Sequence, residues 1–143
     1  LEKSGALSSR TEKVGNSPER KVYSITPEGR KTLSDMVVKA ISAPPHADPA
    51  IPSLGIGFVY GADETAVLRA IENKIAALET DICHHVREDE EHKALIPLNW
   101  MLLLENAIAR KDGEMNTLKK LKEAIESGGL TESIKRVIAL TQS

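Results

Sequence analysis

From Asp63 onward, apolar residues return at alternating spacings of three and four: Leu68, Ile71, Ile75, Leu78 and Ile82. That is the seam of a long, coiled-coil-like helix. An acidic stretch with few apolar residues, His84 to Lys93, is expected to break it. A second long helix is expected over roughly Pro97 to Ser127, with Met101, Leu104, Ile108, Met115, Leu118, Leu121 and Ile125 on its inner face. Gly128-Gly129 stops that helix. Thr131 is placed to cap a last short helix with Ile134, Val137, Ile138 and Leu140 inside.

The front of the chain has a different rhythm. Leu1 to Ser4 reads as a helix end, with Gly5 suited to the left-handed conformation just past the last turn. Ala6 to Arg10 and Lys21 to Ile25 are strand candidates, and in the second Tyr23 and Ile25 alternate with Val22 and Ser24. Tyr23 and Ile25 are read as core. The polar stretch from Thr11 to Glu19, with Gly15, Asn16 and Pro18, makes a long hairpin tip. Thr26-Pro27-Glu28-Gly29 is a helix start: Thr caps, Pro is tolerated at the first position, and Glu suits the positive end of the dipole. The helix runs to about Ile41, with Leu33, Met36, Val37 and Ala40 inward. Pro44, Pro45, Pro49 and Pro52 rule out its continuation, and Leu54 to Tyr60 fits one or two helical turns.

Two helices of about 25–30 residues span roughly 38–45 Å, too long for the short front unit to cover. Their seams call for a partner, and a second copy of the chain is the economical choice. Composition adds little: with 143 residues, 41% hydrophobic and 28% charged, the chain is an ordinary globular protein. Tyr23, Phe58, Tyr60 and Trp100 are the only aromatics, so the core is aliphatic, which suits packed helices. No stretch has the ~20 apolar residues of a membrane span. Cys83 is alone, so no disulfide closes within the chain, and a cytoplasmic location is expected.

Charge changes the picture more. A net charge of −2 argues by itself against a dedicated nucleic-acid binder. Yet Lys3, Arg10, Lys13, Arg20, Lys21, Arg30 and Lys31 outnumber the acids near the N-terminus, while Glu88 to Glu91 makes the middle acidic. An electrostatic footprint confined to one end follows.

The order helix end, Gly, strand, polar hairpin, strand, capped helix is the second half of a winged helix-turn-helix. Leu1-Glu2-Lys3-Ser4-Gly5-Ala6-Leu7 and Pro18-Glu19-Arg20-Lys21-Val22-Tyr23-Ser24-Ile25-Thr26-Pro27-Glu28-Gly29-Arg30 resemble the recognition-helix end and wing of bacterial PadR-family transcriptional regulators. In that family an Arg-Lys, an aromatic and an aliphatic-Thr-x-x-Gly sequence lead into the next helix; here Val22 stands where Tyr is frequent. The seam from Asp63 to Val86, Leu102 to Ala107 and Glu114 to Leu118 resemble the family's dimerisation helices, without the Trp often found at the place of Asn116 or Thr117. The likeness covers about the first 125 residues. It implies that the front of the DNA-reading domain is missing before Leu1, and with it the base-reading side chains.

The resemblance implies DNA contact by the wing residues Arg10, Lys13, Asn16, Arg20 and Lys21, through phosphates or the minor groove; the plain alternative is a solvated hairpin. Dimerisation falls to Leu68, Ile71, Ile75, Leu78, Ile82, Leu104, Ile108, Met115 and Leu118. Cys83, His84, His85, Glu88 and His92 have partly helical spacing but no regular metal motif, so a solvated helix end is preferred and no metal or cofactor is expected. Trp100 is read first as core, with stacking of a small flat aromatic effector as the alternative. No nucleophile elbow, phosphate loop or carboxylate pair is present, and an enzyme is not expected.

The expected fold is mainly α: a partial winged helix (1–42), a connecting segment (43–62) and long antiparallel dimerisation helices (63–143). The expected function is a dimeric DNA-binding repressor. A helical interaction module that does not bind DNA is the rival.

Overall fold

The computed structural model describes residues 2–13, 18–92 and 95–141, without the side chains of 88–92 and 141. Two strands, β1 (Leu7–Glu12) and β2 (Arg20–Ile25), pair antiparallel, with Leu7 opposite Ile25 and Glu12 opposite Arg20. Helices α1 (Pro27–Ile41) and α2 (Ala50–Gly57) follow, then a 3₁₀ turn (Val59–Gly61). The long helices α3 (Glu64–His92) and α4 (Leu98–Glu126) and a terminal α5 (Gly129–Thr141) complete the described chain. The architecture is the expected one, mainly helical with a two-stranded hairpin leading into a capped helix.

Local chemistry explains the boundaries. The Thr26 side chain accepts from the Gly29 N–H at 3.0 Å and starts α1. Asp63 does the same for α3, accepting from Ala66 N–H at 2.8 Å. Its own N–H donates to Ser34 Oγ on α1 at 2.9 Å, so the start of α3 is tied to the middle of α1. Gly5 and Gly128 have positive φ values of 74° and 72°, the conformation in which glycine costs least.

Several expectations are corrected. Pro52 lies inside α2, not in a break; it sits in the first turn, where a missing N–H costs nothing. Asp48 Oδ1, one residue before the N-cap Pro49, accepts from Ala50 N–H at 2.9 Å and so satisfies one donor at the start of that helix. The acidic stretch after His84 does not interrupt α3, which runs on to His92, because Glu, Arg and His without Gly or Pro are adequate helix residues whatever their exposure. Thr131 is not the cap of α5 but lies in its first turn: the Gly128 carbonyl already accepts from Glu132 N–H at 3.2 Å. Met36 is 64% exposed, since the inward row of α1 is Leu33, Val37 and Ile41, four residues apart. Val137, Ile138 and Leu140 are also exposed, and of the expected inner face of α5 only Ile134 is half-buried.

The core joins Val37 and Ile41 of α1, Val59 of the 3₁₀ turn, Val67, Ala70, Ile71 and Leu78 of the first half of α3, and Leu118 and Ile125 of the second half of α4. α3 and α4 form an antiparallel hairpin. Asp81 late in α3 pairs with Lys111 at 2.5 Å, and Glu72 nearer its start pairs with Lys122 at 2.7 Å. Beyond Leu78 and before Leu118, the hairpin contains no buried residue among the described ones. Among the described residues its distal half holds half-buried apolar side chains, Ile82, Leu104 and Ile108 among them, and none fully buried.

Candidate nucleic-acid interface

The wing is fastened to α1 by a small set of contacts. Thr26 Oγ1 donates to Gly5 O at 2.7 Å, while Thr26 N–H donates to Ala6 O at 3.1 Å. Ala6 O reaches so close to α1 that a Cβ on Gly29 would stand 2.0 Å from it. The sequence Ile25-Thr26-x-x-Gly29 therefore has a mechanical meaning. Thr26 caps the helix and grips the strand entry, and Gly29 leaves room for both.

Paired positions of an antiparallel ladder share a face, so the register divides the basic residues. Arg10 (opposite Val22) and Arg20 (opposite Glu12) lie on one face; Lys21 (opposite Thr11) lies on the other with Tyr23. Lys13 is exposed just past β1, and Asn16 lies outside the described residues. Tyr23 is 53% exposed, so its reading as core is overturned within the described chain; Ile25 is half-buried as expected.

Sequence reasoning missed Glu12. Its carboxylate meets both arginines, Arg10 Nη2 at 2.6 Å from Oε1 and Arg20 Nη2 at 3.3 Å from Oε2. Each arginine keeps about 70% of its side chain exposed (72% and 68%), so they are held side by side and still face solvent. The hint in the sequence was a Glu at the end of one strand and an Arg at the start of the next, which a hairpin must bring together.

The seam residues divide. Ile71, Leu78 and Leu118 are fully buried within this one chain, where they hold α3 to α4; a partner would have to be met elsewhere. Leu68, Ile75, Ile82, Leu104, Ile108 and Met115 are half-buried. Large exposed apolar residues occur in three places besides Tyr23 and Met36: Ile51, Leu54, Phe58 and Tyr60 on α2 and the turn after it, Val137, Ile138 and Leu140 on α5, and, in the distal half of the hairpin, Val86, Leu95, Leu98, Trp100, Leu102 and Leu103. Trp100 is 62% exposed, which overturns its reading as a core residue. It stands in the first turn of α4, where no described residue is fully buried.

Elsewhere, a cleft of about 640 Å³ lies between the segment around Pro45–Ile56 and α4, bordered by His46, Asp48, Arg110, Lys111 and Glu114; Trp100 does not line it. The Lys111 hydrogen bond holds the Asp81 carboxyl below the ordinary carboxylate range, with smaller pulls from His85 and His84, against partial desolvation. His85 Nε2 lies 3.7 Å from Asp81 Oδ2. No group of three His, Cys, Asp or Glu side chains among the described residues is arranged to hold a metal. Nor is any described helix long and apolar enough to cross a membrane.

No protein-family model matches the chain, and no curated protein is similar to it in sequence. Among solved structures, Bacillus subtilis PadR in complex with operator DNA is similar, with a TM-score of 0.48 and 18% identity over 87% of this chain and 72% of that one.

Proposed function

We propose that this chain is a dimeric DNA-binding transcription regulator of PadR type, acting as a repressor. The observation that carries the reading is the basic hairpin pinned to α1 by Thr26 and Gly29, with Arg10 and Arg20 exposed on one face, Lys21 exposed on the other and Lys13 just past β1. Cations so placed neutralise phosphates and position a protein on a duplex, while sequence choice comes from base contacts.

The distal half of α3 and α4, where no described residue is fully buried, supports pairing of two copies. Leu98 and Leu102, four apart, lie exposed on one face of the start of α4, and Trp100 and Leu103, three apart, on another; a second protomer would cover such apolar surface. Two-fold pairing presents two wings together and implies half-sites about one helical turn apart. A small effector that alters the crossing of the long helices would alter that spacing, and Trp100 is the residue best placed to stack on a flat one.

The test is a salt titration of the full-length protein on duplex DNA from upstream of its own gene. Four cations on phosphates per protomer predict a log–log slope of about −3 to −4 per wing. Binding insensitive to salt refutes the reading.

One observation favours the rival, an interaction module that leaves DNA alone: Glu12 already partners both arginines. Reversing the charge of Arg20 and Lys21 separates the two. It abolishes DNA affinity under the first reading and leaves partner binding intact under the second.

A further inference from the structure

Among the described residues Lys74 is the one buried charge, 3% exposed, in the middle of the apolar core. Its ammonium donates to Ala43 O at 2.5 Å and lies 3.2 Å from Glu114 Oε1. Three segments meet at this point: the residue just beyond the C-terminal end of α1, the first half of α3, and the middle of α4. Glu114 Oε1 is itself buried and receives no hydrogen bond, so its compensation is the charge of Lys74 alone.

Stability does not account for this arrangement. A buried ion pair costs desolvation on both sides, and apolar residues of similar volume usually hold a core as well or better. What the pair does that apolar residues do not is select a position. Ala43 directly follows Ser42, the C-cap of α1, so its carbonyl is carried by the end of that helix, and a single ammonium bonded to it in an apolar surround fixes where that end docks. The opposite end of α1 is locked to the wing by Thr26 and Gly29. α1 is thus fixed at both ends, to the hairpin of strands at one and to the hairpin of helices at the other.

We propose that Lys74 is a positioning residue that sets the angle of the wing relative to the α3–α4 hairpin, with Glu114 as its counter-charge. Apolar contacts around Ile41 and Ile71 bring α1 onto α3 without a directional bond, and the Asp63–Ser34 hydrogen bond ties α3 to the middle of α1 alone. Lys74 adds a second directional bond, beyond the C-terminal end of α1, and two such points fix the angle that one leaves open. The wing angle is therefore set some distance from the wing. The proposal concerns orientation only and stands whether or not the wing meets DNA.

The experiment uses the full-length protein with Cys83→Ser, spin labels at Thr11→Cys on β1 and Lys120→Cys on α4, both exposed, and an excess of unlabelled chain to isolate distances within one protomer. Lys74→Met is compared with the parent by dipolar spectroscopy, alongside Lys74→Met/Glu114→Leu, which leaves no charge unpaired. The expected result is an unchanged helix content and melting point for the double variant with a broadened or shifted distance distribution. Glu114→Gln, which retains the Lys74–Ala43 bond, keeps the parental mean distance. A parental distribution in a folded Lys74→Met protein overturns the proposal. So does failure of both Lys74 variants to fold, since the lysine would then serve folding instead of orientation.

Discussion

The Ala6 carbonyl occupies the place where a side chain on Gly29 would be: a Cβ there would lie 2.0 Å from the oxygen and 2.9 Å from Ile25 Cγ1. A backbone oxygen cannot swing aside as a flexible side chain can, so the wing and the first turn of α1 fit together only with glycine at this position. Gly29→Ala therefore sets two effects against each other. Helix propensity gains about 1 kcal/mol, and the clash costs more, as overpacking against backbone typically costs about 1–3 kcal/mol and occasionally exceeds it. The clash wins. Urea denaturation should show a net loss of about 1–2 kcal/mol, and amide exchange should localise the loosening to Ala6 and the N-terminal turn of α1. A variant as stable as the parent would show that the wing does not seat on α1 in this way.

Asp81 gives the long hairpin a pH dependence of known sign. Its folded carboxyl titrates below the ordinary value because Lys111 hydrogen-bonds to the ionised form. A depressed folded pKa contributes stability that is fully present above the unfolded pKa. That contribution is lost as pH falls through the folded value. The side chain is 36% exposed, so solvent screening keeps the contribution small. Asp81→Asn should lower the melting temperature slightly near neutrality and flatten the decline below about pH 4. An unaltered acid limb in Asp81→Asn would mean that Lys111 does not hold this carboxylate in solution.

Pairing through the distal half of the hairpin has an internal reporter. Trp100 is the only tryptophan and is 62% exposed in a single chain. Under the dimer proposed above, its emission lies to the blue at high concentration and moves to the red on dilution, in step with sedimentation. Leu98→Glu with Leu103→Glu places one charge on each exposed apolar face of the start of α4, so that whichever face is covered receives one, and should weaken association by about a hundredfold or more, since an unpaired buried charge costs several kcal/mol. The far-ultraviolet helix signal of the diluted single chain should change little, because Leu98 and Leu103 contribute no buried side chain to it. Association unchanged by the double substitution would place the interface elsewhere.

The elements of this fold were legible wherever the reason for them is local. Thr26-Pro27 announces α1, the three-and-four spacing of Leu68, Ile71 and Ile75 announces α3, and both helices begin within a residue or two of expectation. What the spacing did not disclose is which neighbour covers the seam. Ile71, Leu78 and Leu118 belong to one buried cluster within the chain, and a period of three and four looks the same whether the covering helix belongs to the same protomer or another. Lys74 was invisible for a related reason. A lysine between Glu72 and Ile75 gives no sign that its ammonium will find Ala43 O, a carbonyl 31 residues earlier. At the wing, the basic residues were legible as types, but their division between two faces depends on the register of the ladder, and the grip of Glu12 depends on the fold of the whole hairpin.

That grip yields the sharpest prediction about the wing. If Arg10 and Arg20 meet phosphates, Glu12 is at once their organiser and a negative charge close to the duplex. Glu12→Gln keeps an acceptor of the same shape and removes the charge. Exposed pairs such as these contribute little to stability, about 0–1 kcal/mol, so the fold should be unaffected within that range. Removing a carboxylate that repels phosphate should tighten binding by about threefold to tenfold at low salt, an effect that fades as ionic strength rises. Glu12→Ala goes further by releasing the two guanidiniums from their shared acceptor. It should recover less of the gain, because ordering the arginines then costs side-chain entropy on binding. Anisotropy titrations of parent, Glu12→Gln and Glu12→Ala on one duplex at two salt concentrations decide the matter. An affinity that does not respond to Glu12→Gln at low salt would mean that this face of the hairpin does not meet the phosphate backbone.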